Sequence, residues 1–172
     1  MAGTVQTFLR LVSGVATTVK STWQGGTANA NTLLQTDANG LLDTSLFPAG
    51  IGQDQMSVVA SEALTAGQFV NLWANAGVIN ARKADGSVAG KRAHGFVLAA
   101  VASGGTATIY RSGQNTQQTG LTVGDQWLST TTPGGAQATP PAEGSGYVSQ
   151  MVGTALTTTN VDVLLGTPYQ LS

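Results

Sequence analysis

The chain has 172 residues, no cysteine and a formal net charge of −1. Disulfide and thiolate chemistry are therefore excluded, and no global field draws the chain to nucleic acid or anionic membrane. Apolar residues make up 41% of it but Asp, Glu, Lys and Arg only 9%, where a soluble domain carries about a quarter. A free monomer keeps its surface wet with charges of both signs. A surface of glycines, hydroxyls and amides instead suits groups that pair with other protein.

Taken from the start, the chain has no basic stretch ahead of a sustained apolar run, since its first cation is Arg10. A secretory leader is not expected, and no apolar run is long enough to span a membrane. Synthesis and assembly in a cytoplasm fit this pattern. Residues 1–55 read as an extended arm. A short apolar segment holds Phe8 and Leu9, Trp23 follows, and then come apolar knots at Leu33-Leu34, Leu41-Leu42 and Leu46-Phe47. Glycines 25, 26, 40, 50 and 52 and Pro48 punctuate the stretch. Such knots build no core by themselves and would dock onto another surface, with Trp23 suited to anchor an interface. One short helical turn is expected near residues 43–47, where Asp43, Thr44 or Ser45 can cap it.

Residues 56–172 read as an all-β domain, a small sandwich or barrel of jelly-roll-like character. Expected strands are Ser57–Ala60, Gln68–Trp73, Val78–Lys83, Ala93–Val101, Thr106–Arg111, Gln126–Ser129, Tyr147–Leu156 and Val161–Leu165. Two of them alternate strictly. Ala107, Ile109 and Arg111 share one face, and so do Val161, Val163 and Leu165. Turn chemistry separates the runs at Ala76-Gly77, Asp85-Gly86, Gly104-Gly105, Ser112-Gly113, Gly134-Gly135 and Ser145-Gly146.

Candidates for chemistry are few. The one histidine, His94, reads as a strand residue bonded to a neighbour or facing water. With no second His or Cys, the usual zinc ligand sets have no basis. The eight acids are Asp37, Asp43, Asp54, Glu62, Asp85, Asp125, Glu143 and Asp162, and no two stand closer than six positions. Several sit in turn contexts, where Asp bonds its own backbone. Neither a nucleophile elbow nor a phosphate-binding glycine loop occurs. A non-enzymatic chain without a cofactor is expected.

One basic cluster stands out. Arg82, Lys83, Lys91 and Arg92 are four of the seven cations and flank the segment Ala84–Gly90. They read as a solvated hairpin whose charges deter edge pairing, or as contacts to an acidic partner. Nucleic acid is disfavoured, because no aromatic residues interleave. Trp73 and Trp127 read as core or interface residues, and stacked sugars on them are the alternative. That alternative would make the chain a carbohydrate-binding module.

The stretch Leu34-Gln35-Thr36-Asp37-Ala38-Asn39-Gly40-Leu41-Leu42-Asp43-Thr44-Ser45-Leu46-Phe47-Pro48 resembles one common in phage tail and head-fibre proteins. Further pieces follow in the order such virion proteins show: Leu64–Leu72, His94–Val97, Ser112-Gly113, Gly120–Ser129 and Gln150–Leu156. The likeness spans roughly residues 33–165. It implies a bacteriophage structural protein: a homotrimeric capsid decoration or cement protein whose N-terminal arm ties it to the major capsid protein, residing in the virion. A tail- or fibre-associated, receptor-binding virion protein is the alternative. No heptads, collagen-like tract or repeat shaft accompanies the motif, which argues against a self-contained long fibre.

Overall fold

A computed structural model describes residues 7–12, 15–20, 54–143 and 145–172. The chain divides into two units, Met1–Gly52 and Gln53–Ser172. In the first, β1 (Thr7–Val12) and β2 (Val15–Lys20) pair antiparallel, in register from Thr7↔Lys20 to Val12↔Val15. The chain between them reads Ser13-Gly14, and β2 is rich in β-branched residues, a composition that favours strand over open coil. An extended arm is thus replaced by a paired hairpin over this stretch. The helical turn expected near 43–47 lies outside the described residues.

The second unit is all-β, as its alternating runs require. Its first half is a closed five-stranded barrel of β3 (Gln55–Ala60), β4 (Phe69–Asn75), β5 (Val78–Lys83), β6 (Gly95–Phe96) and β7 (Thr106–Tyr110), in the order β3-β5-β4-β6-β7. β3 pairs parallel to β5 through Val59↔Asn80 and Ala60↔Ala81, and the other pairs are antiparallel. Gln55, grouped with the arm on sequence grounds, opens β3. Five strands enclose little volume, so small side chains must fill the interior. Ala60, Ala81 and Ala107 do so, with Leu64, Val70, Val97 and Ile109.

The second half is a five-stranded antiparallel sheet in the order β10-β9-β12-β13-β8. Its members are β8 (Gly113–Asn115), β9 (Gly124–Leu128), β10 (Ala136–Gln137), β12 (Met151–Ala155) and β13 (Val161–Val163). A further pair joins β11 (Val148–Ser149) to β14 (Tyr169–Gln170). Phe69 and Phe96 of the barrel pack with Leu128, Val152, Val161 and Val163 of the sheet into a second core. The barrel and sheet thus share one apolar seam.

Two expected strands are broken. Ala93–Val101 keeps only Gly95–Phe96. Beyond it Val97 exchanges bonds with Gly67 and Gln68, and the chain bends before Val101 bridges Leu64. Tyr147–Leu156 splits at Gln150, where the chain leaves β14 as partner and joins β13. The buried Gln150 side chain accepts from Ala93 N–H at 2.7 Å and donates to Ala93 C=O at 3.0 Å, so its amide fastens this break to the barrel.

Candidate functional site

The polar centre of the described unit is Asn71, buried on β4. Its Nδ2 donates to the carbonyls of Arg92 at 2.8 Å and Gly90 at 3.2 Å, and its Oδ1 accepts from Arg82 Nε at 2.9 Å. A buried amide left unpaired would be costly, so these bonds tie the 84–94 segment firmly to the barrel. The Arg82 guanidinium also lies 4.6 Å from the centre of the Trp73 ring, a cation–π contact. Trp73 Nε1 donates to Ser61 Oγ at 3.1 Å. That ring is half-buried and engaged on its face and at its nitrogen.

The segment between the basic pairs is no solvated hairpin. β5 pairs with β4 and β3, and residues 91–94 form no strand. Ala84, Asp85 and Gly86 are buried, because Gly86 bridges to the sheet by donating to Ser129 C=O and accepting from Val148 N–H. Asp85 accepts from Ser87 N–H at 2.9 Å and Ser87 Oγ at 2.6 Å, the side-chain turn expected for it. Of the four cations, Arg82 and Arg92 converge on the Asn71–His94 group. Lys83 is half-buried, and its N–H donates to Glu62 Oε1 at 2.6 Å. Lys91 contributes its carbonyl to Asp85 N–H.

His94 sits just ahead of β6. Leu72 N–H of β4 donates to its Nδ1 at 3.0 Å, so it is bonded to a neighbour as expected. An acceptor at Nδ1 places the proton of the neutral ring on Nε2. Arg92 Nε–H is aimed at Nε2 at 3.0 Å, so donors approach both ring nitrogens while a neutral imidazole accepts at only one of them. Burial, then the charges of Arg92 and Arg111, hold the His94 pKa below its ordinary 6.5. The sign of the pH effect follows. The unfolded chain binds a proton more readily than the folded one, so stability is full above about pH 6.5 and is lost as pH falls toward the lower folded value. Denaturant unfolding at pH 7 and pH 5 is expected to show this loss, and His94→Gln should flatten it. An equal slope in the variant contradicts the account.

His94 and Arg92 line an open cleft of about 360 Å³ together with Asp54, Arg111, Gln150 and the 163–168 segment. In the sequence His94 and the basic cluster carry no mark of Arg111 or Asp54 as their partners. They flank β7 and β3, and only the antiparallel register of those strands brings them to the cleft. Among the described residues no three His, Cys, Asp or Glu side chains gather as metal ligands.

Of the residues expected to form an interface, Phe8 and Leu9 lie on β1 opposite Val19 and Thr18. Trp23, Leu33, Leu34, Leu41, Leu42, Leu46 and Phe47 lie outside the described residues. Trp127 is half-buried on β9, with its neighbour Leu128 fully inside the core. No protein-family model, curated protein or solved structure matches this chain.

Proposed function

We propose that this chain is a non-enzymatic structural component of a bacteriophage particle: a capsid decoration or cement protein, acting as a homotrimer in the virion after assembly in the host cytoplasm. Its N-terminal arm would bind the major capsid protein and stabilise the head lattice. The observation that carries this reading is a chain with only 9% charged residues that also displays large apolar groups on its surface. Leu164 is 74% exposed, Tyr169 66%, and the adjacent Val78 and Ile79 at the start of β5 are 62% and 49% exposed. Apolar groups of this kind gain roughly 25 cal/mol per Å² when a partner covers them. The order of turn-and-strand motifs over residues 33–165 supports the same assignment.

A tail- or fibre-associated role is the second reading, and the Asp43–Pro48 motif favours it. Sedimentation of purified protein with heads that lack it tests the first. The full chain is expected to pellet with heads, and a chain beginning at Gln53 is expected to stay in the supernatant. Equal pelleting of both species would remove the arm from the account, and pelleting of neither would remove the head.

A further inference from the structure

We propose that the cleft between the barrel and the 163–168 segment is a binding site for a carboxylate carried on a short apolar body. The wall of charge comes first. Arg92 and Arg111 both line the cleft, and the only carboxylate among the described lining residues is Asp54. Two guanidinium groups against one carboxylate leave one positive charge uncompensated. Asp54 meets Arg111 only at Nε, at a loose 3.8 Å, and Arg111 is 56% exposed there. Its terminal nitrogens therefore remain available for a forked, two-bond grip on an incoming carboxylate.

The donor surplus is the second observation. Every protein group that touches the His94 ring is a donor: Leu72 N–H and Asn71 Nδ2 at Nδ1, Arg92 Nε–H at Nε2. A neutral ring accepts at one nitrogen only, so this cluster holds one donor more than its acceptors can satisfy. A carboxylate oxygen at the cleft edge supplies the missing acceptor. Gln150 does not fill the gap, because its amide is spent on Ala93 and on Gly166 C=O.

The apolar part of the lining decides what the carboxylate is attached to. Largely exposed Leu164 supplies it with the half-buried Leu165 and Pro168, while Val163 there belongs to the core. A ligand with an acid head and a few carbons covers this apolar surface while its head meets the arginines. A volume of about 360 Å³ lies at the lower end of the range for small-molecule sites.

Hexanoate is the probe, titrated into the full-length protein and followed by the ring signals of its single histidine, with hexanol and acetate as controls. Hexanoate is expected to shift the His94 signals saturably at about millimolar concentration. Acetate should bind more weakly because it lacks the apolar body, and hexanol should not shift the ring. Arg92→Gln and Arg111→Gln, both on exposed side chains, are each expected to weaken hexanoate about tenfold. Unmoved His94 signals, an equal response to hexanol, or undiminished binding in both variants would each overturn the site.

Discussion

Phe96→Ala is expected to cost about 3–5 kcal/mol of unfolding free energy, the range for a large aromatic deleted from a packed core. Phe96 is 1% exposed and belongs to a strand only two residues long. Its ring stacks on Tyr110 at 5.6 Å and meets Phe69 edge-on at 6.4 Å. It also packs in the seam where barrel strands meet the leucine and valines of the sheet. Its ladder lies on the β4 side, and β6 meets β7 through Phe96↔Tyr110 alone. The stacked rings supply the rest of the contact to β7. The loss is large against the 5–15 kcal/mol that a domain has in total. Urea unfolding checks it, with Val78→Ala as the exposed control that should change stability by less than about 0.5 kcal/mol. A loss below about 1 kcal/mol for Phe96→Ala would mean that the barrel and the sheet do not depend on this seam.

Gly153→Ala is expected to cost about 3 kcal/mol or more. Between Met151↔Trp127 and Gly153↔Gln126 the register of β12 against β9 slips by one, so Val152 is an extra residue in a bulge. Gly153 takes φ +147° there, and an added Cβ would collide with Asp162 O and lie 2.9 Å from Val161 Cγ1. The close oxygen belongs to the backbone of β13, which is itself bonded in the sheet, so nothing flexible can yield. Gly113 separates the two sources of cost. Its φ is +99°, but a Cβ there would meet nothing within 4 Å. Gly113→Ala should therefore cost only the backbone term, about 1–2 kcal/mol. Thermal unfolding of the two variants side by side measures the difference. Equal losses would show that the close approach at Gly153 relaxes without cost.

The sequence made the alternating strands readable because burial on one face imposes a period of two. Ala107 and Ile109 are buried, with Thr106 and Thr108 outside, and Val161 and Val163 are buried around an exposed Asp162. Arg111, grouped on that first face, instead lies past the end of β7 and reaches solvent. The short strands were not legible. Gly113–Asn115, Ala136–Gln137 and Tyr169–Gln170 have two or three residues each, too few to show a period, and only their partners make them strands. Gln150 looked like one more residue of a long strand. Its role as the point of partner exchange depends on Ala93, 57 positions away.

The candidate site was legible only in pieces. His94 and Arg92 are neighbours in sequence and share a segment. Asp54 and Arg111 reach them because β3 and β7 pair from Gln55↔Tyr110 onward, and no local pattern announces that pairing. Arg82 and Arg92 meet through Asn71, a residue that a strand pattern marks only as one polar position among apolar ones.

Gold-labelled antibody against this chain, applied to intact particles purified from cells that make it, is the most direct measurement of the proposed role. Label over the heads is the expected result. Label confined to tails, or particles that carry none while the protein remains free in the lysate, would contradict it.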